Sequence, residues 1–156
     1  MIKKKLQSQS GFSFTELLVA LAILSVMTLG MAVGISASMR IYNESTALSD
    51  AQSLSSTLSI AIMDELRFAR DVQEGDNPTF TSQNYGVGVA LATNAQGHVT
   101  LGGYPLLSTA AYTGLTAKLE KVSYHDNQFD VKLAIQKDTT TIKTIQFSVT
   151  PINESL

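Results

Sequence analysis

Apolar residues run without a break through one N-terminal segment of this chain. No charge and no proline occurs from Leu17 to Ile35, and as a helix this stretch would be about 28 Å long, close to the ~30 Å hydrocarbon core of a bilayer. A lysine cluster precedes the segment and Arg40 follows it, so the positive-inside tendency predicts a cytoplasmic amino end and an external remainder. We therefore predict a single-pass protein of the cytoplasmic (inner) membrane.

Beyond the span, apolar residues recur at three- and four-residue steps, as on one buried helix face. Gly75 and Pro78 favour a helix end near Gln73, through a glycine cap and a proline that prevents resumption. The pattern therefore predicts one long helix from Phe14 to Gln73. Its apolar stripe would consist of Leu48, Ala51, Leu54, Leu58, Ala61, Ile62, Leu66 and Ala69.

After Gly75 the apolar pattern changes from helical spacing to alternation. Glycine and asparagine are frequent as far as Gly114, which predicts loops and weak strands at Val87–Thr93 and His98–Gly102, joined by a turn at "NAQG". Three stronger strands follow in "KLEKVSYH", "QFDVKLAIQK" and "TIKTIQFSVTP". Hairpin turns are expected at Asp126-Asn127 and Asp138-Thr139. The predicted fold class is α+β, with the amphipathic half of the long helix covering an antiparallel sheet.

The residues before and inside the apolar run resemble the N-terminus of type IV pilins and pseudopilins. "KKKLQSQSG" looks like their short basic leader, and "FSFTELLVALAIL" looks like the start of their mature helix, with Gly11, Phe12 and Glu16 at matching positions. The resemblance implies that a prepilin peptidase cuts between Gly11 and Phe12 and methylates the new amine of Phe12. It covers about the first forty residues.

This resemblance divides the chain into three predicted segments. Residues 1–11 are the leader, residues 12–37 form the transmembrane and filament-core part of the helix, and residues 38–156 form an extracytoplasmic pilin-like domain. Two other interpretations of the apolar run stay open. It could be a secretory signal cut near Ser38, although it is longer than the usual apolar region of such signals. It could also be an unprocessed signal anchor.

Glu16 needs an explanation because an ionisable group at the edge of a membrane span is costly to bury. It lies one helical turn after Phe12, on the same side of the helix. The resemblance implies that its carboxylate pairs with the N-terminal amine of a neighbouring subunit, which makes it a filament-assembly contact. The alternative is that Glu16 caps its own helix, where a negative charge suits the positive end of the helix dipole.

Gly30 and Gly34 form a small-residue pair one turn apart within the span. Such a pair permits close approach of another helix, so both are candidate helix-packing positions. It also weakens the helix locally. Many pilins carry a proline at a position that falls here on Val33, and its replacement leaves the glycines as the place where the helix could loosen. A chance pairing is the third alternative, since glycine is common in membrane helices.

The composition gives few indications of chemistry. There is no cysteine, so a disulfide, a thiolate metal site and a cysteine nucleophile are excluded. No catalytic, phosphate-binding or dinucleotide-binding motif is found, and we predict neither an enzyme nor a cofactor or metal. Removing the three leader lysines from a total of 11 Lys and Arg leaves 8, against 13 Asp and Glu. Nucleic acid is therefore not an expected partner of the isolated domain.

Taken together, these features predict a structural subunit of a type IV pilus or of a type II secretion-like pseudopilus. The expected partners are the prepilin peptidase, other pilin or pseudopilin subunits, the cytoplasmic membrane and the assembly platform. The missing proline and missing cysteines favour a minor or priming subunit, with a role in secretion, adhesion or DNA uptake. The alternative is an unprocessed, single-span extracytoplasmic binding module.

Overall fold

The computed structural model describes residues 13–152 and contains one long helix and nine strands within that range. Its helix, α1, spans Phe14–Arg67. The strands are β1 (Gly75–Asp76), β2 (Phe80–Ser82), β3 (Gly86–Val89), β4 (Leu91–Thr93), β5 (Val99–Leu101), β6 (Tyr104–Pro105), β7 (Thr116–His125), β8 (Gln128–Lys137) and β9 (Thr140–Val149), with a 3-10 turn at Thr109–Tyr112. The chain divides into two compact units, Met1–Asn43 and Glu44–Leu156.

In the first unit, the described residues belong almost entirely to α1 and expose their side chains. Mean hydropathy reaches 2.4 in an 18-residue window, which makes α1 the one candidate membrane span in residues 13–152. The hydroxyls of Ser25, Thr28 and Ser36 each donate to the carbonyl four residues earlier, at 2.7–2.9 Å. These polar groups are therefore satisfied inside the helix, as a hydrocarbon environment requires.

In the second unit, α1 packs one face against an antiparallel sheet, which confirms the predicted α+β arrangement. Its buried residues are Ala51, Leu54, Ser55, Leu58, Ile62 and Leu66. The hydroxyl of Ser55 donates to the carbonyl of Gln52 at 2.9 Å, so the one polar member of the stripe is satisfied. The predicted stripe is wrong at its start, because Leu48 is 55% exposed.

The predicted helix end at Gln73 is also wrong, because α1 ends at Arg67. After that residue the backbone finds partners on another segment: Arg70 exchanges two hydrogen bonds with Thr81, at 3.1 and 2.7 Å. Gly75 does not cap the helix and instead begins β1, opposite Tyr124. The last helical carbonyl, that of Arg67, accepts from the amide of Ile152 at 2.9 Å. Long-range pairing therefore overrides a local pattern that would allow the helix to continue.

The main sheet has the order β1-β7-β8-β9 and is antiparallel throughout. The three strong strands are confirmed, and β8 has its predicted bounds. Asp126 and Asn127 connect β7 to β8 with φ values of 51° and 61°, which gives a turn of the type that twists with the strands. The fourth strand, β1, was not predicted because it is two residues long.

The connection between helix and sheet forms two small strand groups. The predicted strand at Val87–Thr93 is divided at Ala90 into β3, which pairs with β2, and β4, which pairs with β5. The predicted turn at Asn94–Gly97 is confirmed by a hydrogen bond from the Gly97 amide to the Asn94 carbonyl at 3.0 Å. A shared core joins these strands to α1 and to the main sheet, where Phe80 meets Phe129 edge-to-face at 5.7 Å.

Candidate processing and assembly site

The candidate site lies at the amino end of α1, where Ser13 precedes the first helical residue. The Ser13 amide donates to Oε2 of Glu16 at 2.8 Å, and the Ser13 and Thr15 hydroxyls are hydrogen-bonded to each other. Ser13 and Glu16 therefore have the spacing of a capping box, with Glu16 as the third residue of the helix. Its carboxylate accepts a hydrogen bond from the Ser13 amide, which has no acceptor within the helix. Gly11 and Phe12, the predicted cleavage and methylation positions, lie outside the described residues.

The Glu16 carboxylate caps its helix and can still accept further hydrogen bonds. It is exposed in the first turn, where the helix dipole favours a negative charge. A carboxylate offers about four acceptor positions. Within residues 13–152 its one hydrogen bond is the contact with the Ser13 amide. The geometry thus supports the capping alternative and leaves room for an amine from another chain.

Ser13 was missed by the sequence analysis, although the sequence carries a signal for it. "SFTE" has serine followed three residues later by glutamate, immediately before an apolar run, which is the pattern of a capping box. Ser13 positions Glu16 through its backbone amide.

Gly30 and Gly34 occupy successive turns of α1 with their backbone open. A Cβ atom added at either position would meet nothing within 4 Å. Neither glycine is therefore needed for packing among the described residues. Their role in helix packing stays a prediction.

Histidines and clustered carboxylates elsewhere in the chain are the other side chains that could bind a metal ion. In residues 13–152 no group of three or more His, Cys, Asp or Glu side chains could hold a metal ion. Asp71, Glu74 and Asp76, which follow the end of α1, do not form such a group either. His98 stacks on the ring of Tyr112 at 4.1 Å, and His125 is exposed at the end of β7.

Of the three tyrosines in the connection, Tyr112 has a structural role. Its side chain is buried, and its hydroxyl accepts from the Val99 amide at 2.8 Å. Tyr104 is 65% exposed and lies 6.4 Å from the half-buried ring of Tyr85. Tyr112 therefore belongs to the core, whereas the Tyr104 side chain is available to solvent.

Tyr112→Phe is expected to lower the free energy of unfolding by about 1–3 kcal/mol, because the buried Val99 amide loses its acceptor. Thermal or urea unfolding of the full chain in detergent measures the change. Tyr104→Phe serves as the control and should have little effect, since this hydroxyl is exposed. Equal stability of the two variants would contradict the role of the Tyr112 hydroxyl.

The stability that Tyr112 contributes is also expected to depend on pH. Burial raises the pKa of Tyr112 above 10.0, against a smaller lowering by the Val99 hydrogen bond. The folded chain therefore holds the phenol proton more tightly than the unfolded chain. The stabilisation is complete below pH 10.0 and is lost as the pH rises through the folded-state pKa. Between pH 10.0 and the folded-state pKa, the stability of the wild type should fall more steeply than that of Tyr112→Phe.

Comparison with known protein families decides the nature of the N-terminus. Residues 6–32 match the family model described as a prokaryotic N-terminal methylation motif. The N-terminus is a type IV prepilin-type signal. This prepilin-type signal contains Gly11, Phe12 and Glu16, together with most of the apolar span. No curated protein and no solved structure matches the chain.

The prepilin-type signal and α1 support the same class of protein. The signal supports a type IV pilin-like processed subunit, and the long apolar helix fits a membrane-anchored pilin. The α+β arrangement of residues 44–152, with the helix stripe against an antiparallel sheet, is pilin-like as well. These observations favour a structural subunit over an enzyme.

Proposed function

We propose that this chain is a subunit of a type IV pilus or type II secretion-like pseudopilus. A prepilin peptidase cleaves it between Gly11 and Phe12 and methylates the amine of Phe12. The match of residues 6–32 to the methylation motif carries this proposal. The lysines at positions 3–5 keep the leader in the cytoplasm, with residues 38–156 on the other side of the membrane.

Assembly is proposed to proceed through the N-terminal helix. Glu16 holds its own first turn through the Ser13 amide and keeps acceptor capacity for the methylated amine of a neighbouring subunit. Because a charge near hydrocarbon is costly, pairing these two groups favours docking of the next chain. The open backbone at Gly30 and Gly34 then admits the neighbouring helix.

Gly11→Val is expected to leave the leader attached, because a branched side chain beside the scissile bond obstructs the peptidase. Gly11→Ala is the matched control and should be processed in part. Both products are read by mass spectrometry of the intact protein from cells that express the pathway. Full processing of Gly11→Val would contradict the proposed cleavage position.

A minor or priming role is the finer part of the proposal. It is favoured by Val33 at the position where many pilins have proline, and by the absence of cysteine from the sequence. In purified filaments this chain should form a small fraction of the subunits, and its deletion should reduce filament number. Quantitative mass spectrometry of filaments measures that fraction. A chain that forms most of the filament mass would be a major subunit. Secretion, adhesion and DNA uptake are all compatible roles.

A further inference from the structure

The main sheet has an outer face, turned away from α1, that carries charged side chains in an ordered pattern. On β8 the residues Phe129, Val131, Leu133 and Ile135 belong to the core shared with α1. Successive residues of a strand point to opposite faces. Asp130, Lys132 and Ala134 therefore lie on the outer face, where Asp130 and Lys132 are half-buried and Ala134 is fully buried. Neighbouring strands continue this face on both sides.

Residues directly opposite each other on paired strands share a face, so the register defines rows across the sheet. The acidic row consists of Asp76, Ser123, Asp130 and Ser148. The lysine row beside it consists of Lys121, Lys132 and Gln146. Lys118, opposite Ala134, begins the next row. Adjacent rows are about 6.6 Å apart, because two residues of a strand separate them.

A bulge in β7 creates this concentration of lysines. The register shifts between Leu119 and Lys121, so one residue of β7 has no counterpart on β8. Lys118 and Lys121 consequently point to the same face, although three positions separate them in the chain. Without the bulge, strict alternation would place them on opposite faces.

Within this face the positive charges are only partly neutralised. Lys121 lies directly opposite Lys132, an arrangement that is destabilising for like charges. Lys132 forms an ion pair with Glu120 at 2.8 Å. Lys118 and Lys121 are exposed, and the part of the chain that the structure describes gives neither of them an ion pair.

The acidic row is similarly incomplete. Asp130 accepts a hydrogen bond from the Ser148 hydroxyl at 2.6 Å, and Asp76 is exposed. Between them lies Ser123, whose buried hydroxyl has no partner in residues 13–152. The acidic row therefore contains no positively charged side chain. The lysine row beside it has two positive side chains and one acidic partner, Glu120.

The balance of charge favours a copy of the same face as the partner. The positive members are Lys118, Lys121 and Lys132, and the negative members are Asp76, Glu120 and Asp130, so the face is neutral as a whole. A polyanion would meet an equal number of repelling groups. A second copy, turned by a two-fold axis that runs between the two rows, would place each acidic row on the other's lysine row.

We propose that two copies of this chain associate through this outer face, with Lys121 of each copy lying over the acidic row of the other between Asp76 and Asp130. The contact is separate from the N-terminal helix and goes beyond the proposed filament role. It involves surface charges, so added salt weakens it. It leaves the face between α1 and the sheet unchanged.

The test uses the full processed chain in a nonionic detergent, as an equal mixture of unlabelled and ¹⁵N-labelled protein. A carbodiimide joins lysine amines directly to carboxylates in contact, and mixed isotopes identify links between chains. We expect links between chains from Lys118 or Lys121 to Asp76 or Asp130, lost at high salt. Links confined to single chains, or links between chains that leave out these rows, would overturn the proposal.

Charge-reversal variants distinguish binding to a second copy of this chain from binding to a different partner. Lys121→Glu and Asp130→Lys should each abolish the links between chains when tested alone, since each makes the two faces repel. Mixing the two variants should restore links between unlike chains. Lys137→Glu and Asp64→Lys are matched charge changes off this face and should behave as wild type. Normal linking by Asp130→Lys alone, or no restoration in the mixture, would refute self-association.

Discussion

Glu16→Gln is expected to be processed normally and to enter filaments poorly, with a loss comparable to that of Glu16→Ala. Glutamine keeps the acceptor oxygen that the Ser13 amide needs, so the cap is preserved. It removes the negative charge that the proposed pairing with the methylated amine requires. Incorporation is measured by quantifying the variant in sheared filaments against the amount retained in the membrane.

This pair of variants distinguishes the two roles that the sequence leaves open for Glu16. If Glu16 serves solely as a cap, Glu16→Gln should assemble like wild type, and Glu16→Ala alone should fail. A capping contact contributes about 1 kcal/mol, which would weaken the first turn without preventing cleavage. Normal assembly of Glu16→Gln would therefore contradict the ionic contact and leave the cap intact.

Leu58→Ala is expected to lower the free energy of unfolding by about 2–5 kcal/mol. Leu58 is fully buried in the stripe of α1 that covers the sheet, and its truncation leaves a cavity. Chemical unfolding of the full chain in detergent, followed by circular dichroism, measures the change. A loss of this size is a large part of the stability of a typical domain.

Leu48→Ala provides the matched control for this prediction. Leu48 follows the same apolar spacing in the sequence but is 55% exposed in the folded chain. Its truncation should change the unfolding free energy little. Equal effects at the two positions would indicate that the buried stripe extends to Leu48, contrary to the structure.

The elements that the sequence predicted best are those whose structure is set by local pattern. β8 alternates between buried and more exposed residues from Gln128 to Leu133, and its turn at Asp126-Asn127 uses residues that tolerate positive φ. The helix stripe from Ala51 to Leu66 is periodic enough to be read directly. In these segments, local preference and tertiary packing agree.

The predictions failed where a distant segment decides the local structure. α1 ends at Arg67 because the following residues pair with β2 and because Ile152 reaches the last carbonyl. Neither partner can be identified from the residues near the helix end. The division of Val87–Thr93 into two strands likewise depends on which strands each half pairs with.

At the candidate site, the sequence predicted the type of signal, and the roles of its individual residues stay predictions. The spacing of Gly11, Phe12 and Glu16 indicated the prepilin-type signal that the match to residues 6–32 supports. The contribution of Ser13 was readable as a capping box and was overlooked. The charge rows of the outer face could not be predicted, because they depend on strand register and on the bulge that brings Lys118 and Lys121 to one face.

The most direct test of the account is the mass of the N-terminal peptide of the protein from its own cells. The account predicts a chain that starts at Phe12 and carries a methyl group on its amine, with the leader absent. A chain that starts at Met1 would contradict processing and favour the membrane-anchored binding module. A chain that starts near Ser38 would contradict it equally, because the helix needed for assembly would have been removed.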